Sequence, residues 1–145
     1  MIITSKDNES IKKIRKLKEK KYRTETGKFL IEGIKIIKEA IEEKANIDTI
    51  VICDDCVKNG EISQEILYEI AKYNCIYVDK KVFSSITEVQ NPQGILAVIE
   101  KTNKDKNINY KEDLIVILDD IQDPGNLGTI LRTIDSIRTF SGCYI

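Results

Sequence analysis

Short β-branched apolar runs alternate with stretches whose apolar residues recur at helical spacing. That alternation restricts the first hundred residues to an α/β arrangement. Lys28 to Glu32 (KFLIE), Ile47 to Cys53, Cys75 to Val78 and Ile95 to Ile99 are too short for helices and suit strands. Between them, Ile34, Ile37, Ala40 and Ile41 mark a helix to about Lys44. Ile66, Leu67, Ile70 and Ala71 mark another between Gln64 and Tyr73, and Lys80 to Thr87 suits a short one. Asn91-Pro92-Gln93-Gly94 is a turn signal. Ile11, Ile14 and Leu17 form an N-terminal helical stripe, with Ser10 as the expected N-cap. The architecture expected for residues 1–100 is an α/β sandwich.

Composition then shifts. Residues 101–113 (KTNKDKNINYKED) are polar and aperiodic, as an interdomain linker would be. Leu114 to Leu118 (LIVIL) opens a second unit over 114–145 with a continuous apolar run, typical of a strand buried on both faces of a parallel sheet. A polar loop follows, Asp119 to Gly125, and then a helix expected from Asn126.

The charge balance, 23 Lys/Arg against 24 Asp/Glu, conceals an asymmetry. Residues 1–23 hold nine basic and three acidic side chains, and the other 122 residues hold 14 against 21. A basic segment on a mildly acidic body points to a polyanion bound at one end. A solvated lysine-rich helix is the plainer alternative. No apolar run reaches the roughly 18 residues of a membrane span, and no secretory leader is visible, so the expected setting is the cytoplasm, away from membranes.

Four cysteines and no histidine are present. Cys53-Asp54-Asp55-Cys56 is a CxxC, but a structural zinc site wants four ligands and no second pair exists. No metal site is expected, and the two cysteines read as small apolar side chains at a strand end. Asp119, Asp120 and Asp123 are likewise read as strand-end and loop carboxylates, not magnesium ligands.

The segment richest in chemistry is Leu118 to Arg132, LDDIQDPGNLGTILR. A strand end turns through Asp123, Pro124 and Gly125 into a helix that Asn126 is expected to cap. Gly128 lets a partner approach the backbone closely. Exposed amides and the helix dipole favour anions there. Arg132 lies about 240° around the helix from Asn126, so the two do not share a face, although the long arginine stem can still reach over the strand ends. The pattern is neither a Walker A loop nor GxGxxG. From the residues alone it is a ligand loop at the C-terminal end of a parallel strand.

The run Leu118 to Thr133 resembles the first conserved motif of the SpoU/TrmH RNA ribose 2′-O-methyltransferases, Asp-Pro-x-Asn-x-Gly followed by an arginine. Lys20-Lys21-Tyr22-Arg23, Phe29 to Gly33 and Asn91 to Val98 resemble that family's substrate-binding domain, and the likeness extends to about Asp135. The resemblance implies a ribosomal-protein-like RNA-binding α/β domain, then the first strand and helix of a knotted SPOUT methyltransferase domain. It implies methyl transfer from S-adenosylmethionine to a ribose 2′-hydroxyl of rRNA or tRNA, by an enzyme that works as a homodimer.

Carried onto this sequence, the resemblance makes Arg132 the catalytic arginine and places Asn126 at the active-site border. A guanidinium is a poor proton acceptor, so the expected task of Arg132 is to orient the ribose–phosphate and stabilise the alkoxide. Asp123, Pro124, Gly125 and Gly128 form the motif turn. Lys20, Lys21 and Arg23 are candidate RNA phosphate contacts, which hold without reading sequence. Glu32 is expected to pack or to cap the helix after Gly33.

The family's two later motifs, which hold the methyl donor, do not follow, and residues 137–145 (IRTFSGCYI) depart from its pattern. The expectation is a C-terminal truncation near residue 137, leaving 114–145 poorly ordered because one strand and one helix cannot cover a parallel sheet. Two readings stay open: a 2′-O-methyltransferase, and a non-catalytic RNA-binding remnant. A dimerising protein without RNA is a third, against which the basic N-terminal segment stands.

Overall fold

A computed structural model of the chain describes residues 2–102 and 116–136. The chain divides into two compact units, Met1–Thr102 and Asn103–Ile145. Each is taken by itself.

The first unit is a five-stranded sheet in the order β1-β4-β3-β5-β2, flanked by helices. The strands are β1 (Ile2–Ile3), β2 (Lys28–Glu32), β3 (Ile47–Cys53), β4 (Cys75–Val78) and β5 (Ile95–Glu100). The helices are α1 (Glu9–Lys16), α2 (Lys20–Thr26), α3 (Ile34–Glu42), α4 (Asp54–Lys58), α5 (Gln64–Ile70) and α6 (Lys80–Ile86). β1, β4 and β3 run parallel, and β5 runs antiparallel to both β3 and β2. Because side chains alternate across a strand, the register sets Thr49, Val51, Ile76, Leu96 and Val98 on one face and Ile50, Ile52 and Ala97 on the other. Ile50 to Cys53 and Ile95 to Ile99 are buried, which makes β3 and β5 the spine of the core.

Helix α1 buries Ile11 and Ile14, with Leu17 just beyond its end. Each such side chain contributes on the order of 1.5–3 kcal/mol when removed from water. The cap differs from expectation: Asn8, not Ser10, accepts with its side chain, from the Ser10 amide at 3.0 Å. The basic stretch is divided between two helices. Leu17 to Glu19 interrupt it, and α2 starts afresh at Lys20. The break is held from both sides. Arg23 Nη1 donates to the carbonyls of Leu17 (3.0 Å) and Lys18 (2.6 Å), and Lys18 Nζ donates to those of Thr87 (2.8 Å) and Ser85 (3.3 Å) at the end of α6.

The turn before β5 is built around Gly94, whose φ is +75°. A Cβ there would sit 2.6 Å from both Cβ and Sγ of Cys56, so this position requires glycine on both counts. Cys53 and Cys56 are buried, one ending β3 and the other inside α4, in keeping with an apolar role. Burial, with Cys53 and Glu61 alongside, pushes the Cys56 thiol up to about 12. Gln93 Oε1 accepts from the Ile34 amide at 2.8 Å and so caps α3. Glu32, an expected candidate for that cap, instead accepts from Thr87 Oγ1 at 2.5 Å.

In the second unit the described residues are 116–136, ending in α7 (Pro124–Ser136). The expected linker lies outside the described residues apart from Lys101 and Thr102, as does 137–145. Of the expected strand Leu114 to Leu118, only Val116 to Leu118 are described. Ile117 is 78% exposed, so burial on both faces is not met at that residue. The described part of this unit supplies no sheet to cover it. Among the described residues, no helix is long and apolar enough to cross a membrane.

Candidate nucleic-acid interface and motif helix

The motif helix begins two residues earlier than the sequence suggested. Pro124 takes its first position, where a fixed φ and a missing N–H cost nothing. Asp123 supplies the cap: Oδ1 accepts from the Gly125 amide at 2.6 Å, and its carbonyl accepts from the Leu127 amide at 3.1 Å. A side chain on Gly125 would lie 3.0 Å from that carboxylate oxygen, so the small residue admits the cap. Asn126 therefore sits inside the first turn with its side chain exposed, and the expectation that it caps the helix is corrected.

Arg132 is exposed and folds back along α7. Its Nη2 donates to Thr129 Oγ1 at 3.4 Å, and its Nη1 lies 3.6 Å from where a Gly128 Cβ would be. Gly128 and Arg132 are one turn apart on a shared face, and Asn126 lies off it. Thr129 is a member of this group that the sequence reading missed. It donates to the Gly125 carbonyl at 2.9 Å while its oxygen receives Arg132. Its spacing, three before the arginine and four after the glycine, was the available signal. Residues 119–126 are all exposed.

On the first unit, Lys12 and Arg15 of α1 are half-buried, and six other basic residues of α1, α2 and the break between them fall into two kinds. Lys18 and Arg23 are part-buried and spend their donors on carbonyls. Lys13, Lys16, Lys20 and Lys21 face solvent. Lys21 is 3.9 Å from Glu25, an exposed pair worth little and easily exchanged for a phosphate. Lys16 Nζ stands 5.8 Å from the Tyr22 ring centre. Lys20 and Lys21 are thus free to meet a polyanion, whereas Arg23 first holds the turn that presents them. No three His, Cys, Asp or Glu side chains gather as a metal site among the described residues.

Residues 8–97 match the family model of the MRM3-like substrate binding domain. The chain belongs to the SpoU/TrmH methyltransferase family. It is 33% identical, over 92% of its length and 50% of the other's, to the 23S rRNA (guanosine(2553)-2'-O)-methyltransferase RlmP of Bacillus subtilis. It is 31% identical to the mitochondrial rRNA methyltransferase 3 of Xenopus tropicalis, over 79% of this chain and 28% of that one. Among solved structures, an AdoMet-bound rRNA methyltransferase from Sinorhizobium meliloti matches 99% of this chain and 53% of its own, with TM-score 0.74 and 33% identity. The chain thus spans about half the length of the Bacillus relative.

The Sinorhizobium meliloti methyltransferase is described as bound to AdoMet. The start of α7 thus places one guanidinium, that of Arg132, and the Asp123 cap on an exposed surface. Residues 119–126, exposed throughout, form no adenosine pocket by themselves.

Proposed function

We propose that this chain supplies the RNA-binding domain (residues 1–100), a linker (101–113) and the opening strand–loop–helix (114–145) of an RNA ribose 2′-O-methyltransferase acting on rRNA or tRNA. The single observation that carries this is the 33% identity to a 23S rRNA 2'-O-methyltransferase across 92% of the chain, which takes in the motif at Asp123 to Arg132 as well as the first unit. In this reading the first unit is the ribosomal-protein-like domain and the second begins the knotted SPOUT domain. The working unit is a cytoplasmic homodimer.

Arg132 orients the ribose–phosphate and offsets the negative charge that builds on the 2′-oxygen, while the hydroxyl proton passes to solvent at this exposed surface and not to the guanidinium. Thr129 and the side-chain-free Gly128 set the guanidinium's direction. Asn126, exposed in the first turn of α7, borders the reacting ribose. The Asp123 cap fixes that turn. Lys20 and Lys21 hold phosphates, and Arg23 anchors them.

A second reading is a non-catalytic RNA-binding module, favoured by the open setting of 119–126. Calorimetric titration of the purified chain with S-adenosylhomocysteine separates the two. Micromolar binding carries the enzyme reading. No heat, from folded chain that binds RNA, leaves the binding module and ends the enzyme reading for this polypeptide.

A further inference from the structure

A cleft of about 340 Å³ opens on the first unit where β2, β3 and β4 begin, under α1 and α2. Its floor is apolar: Ile14 and Leu17 from α1 meet Ile76 and Val98 from the sheet face that also carries Thr49. Tyr22 forms one wall. The rim is polar and already organised. Asp48 Oδ1 holds Lys28 Nζ at 2.6 Å, and Asn74 Nδ2 donates to Thr49 Oγ1 at 3.1 Å. Lys13 also lines the cleft, and Lys16 stands over Tyr22.

We infer that this cleft takes one unstacked nucleobase of single-stranded RNA, a base bearing an exocyclic amino group. The inference rests on the RNA-binding reading above and names a subsite for it. Three observations converge. The volume is at the lower end of the roughly 300–1,000 Å³ of small-ligand pockets, room for one base and its sugar. An aromatic wall over an apolar floor suits the face of a base. Asp48 and Asn74 at the edge suit its hydrogen-bonding rim, because carboxylates accept from base amino groups. Lys13 in the lining and Lys16 beside Tyr22 stand where the phosphates next to a splayed base would run. Lys28 offsets the charge of Asp48, so the carboxylate reads the base without repelling the strand.

The test measures fluorescence anisotropy of the full chain with a labelled random-sequence 12-mer RNA and with an abasic 12-mer of the same backbone. Base–aromatic stacking with rim hydrogen bonds predicts about tenfold or greater preference for the base-bearing strand. Asp48→Ala gives the sharper sign. Removing a negative charge strengthens binding that is purely electrostatic, whereas loss of a base contact weakens it. The inference predicts about threefold to tenfold weaker binding of the base-bearing RNA and none of that loss with the abasic strand. Asn74→Ala, also at the exposed edge, is expected to weaken binding in the same selective way, with circular dichroism confirming the fold of both variants. Equal binding of the two RNAs, or tighter binding by Asp48→Ala, overturns the cleft while the RNA-binding reading stands. No binding of either RNA by the parent chain overturns both.

Discussion

Individual residues here are decided by what their neighbours leave free. Gly94 combines a left-handed backbone with a Cβ position already filled by Cys56. Gly94→Ala is expected to cost about 2–4 kcal/mol, read as a lowered urea midpoint. The Cys56 thiol, pushed up to about 12 from an ordinary 9.0 by burial, is expected to resist alkylation in the native chain at pH 8 and to react on unfolding. Rapid native labelling at Cys56 would contradict its placement. Its raised folded-state pKa stabilises the chain fully below pH 9, and that contribution fades as pH rises from there through about 12. Arg132 belongs at this scale too. On the proposed assignment, Arg132→Ala in a methyltransferase that contains this segment is expected to lower the rate by about 10²–10³-fold, as loss of an oxyanion-stabilising group does, with an unchanged melting temperature because the side chain is exposed.

At the scale of elements, the break between α1 and α2 matters most. Arg23 and Lys18 close it from opposite sides. Arg23→Ala leaves two carbonyls without their donor and is expected to cost about 1–2 kcal/mol. Lys20→Ala should leave stability within about 0.5 kcal/mol, as exposed substitutions do, while weakening RNA binding. The reverse pattern, a stable Arg23→Ala with lost RNA affinity, would return Arg23 to the phosphate-contacting role. Strands β2, β3 and β4 were legible in the sequence because each is a bounded run of β-branched or apolar residues. Helix α2 was not: KKYRTET buries no side chain, so no apolar stripe reveals it. β1 has two residues and α4 five, too few for any period to show. The start of α7 was misplaced because Asp123 and Asn126 are both good caps, and only the placement of Pro124 at the first helical position decides between them. The motif itself was legible, whereas the grouping of Thr129 with Arg132, and the cleft beneath α1, depend on side-chain directions that spacing does not fix.

Across the whole molecule, the first unit is proposed to bind RNA and the second to open a methyl-transfer domain. The first unit has a closed apolar core of its own, and no buried side-chain polar atom lacks a partner among the described residues. The exposed lysines of its helices α1 and α2 are four, 13, 16, 20 and 21. The most direct test is the salt dependence of single-stranded RNA binding by the full chain and by the double variant Lys20→Glu/Lys21→Glu. Each phosphate contact contributes a slope of about −0.7 in log K against log salt, so up to four contacts predict roughly −2 to −3. The double variant is expected to lose about 1.4 of that slope and to keep its fold. RNA binding that is absent, or whose slope is the same with and without these two lysines, would contradict the assignment of this surface to RNA.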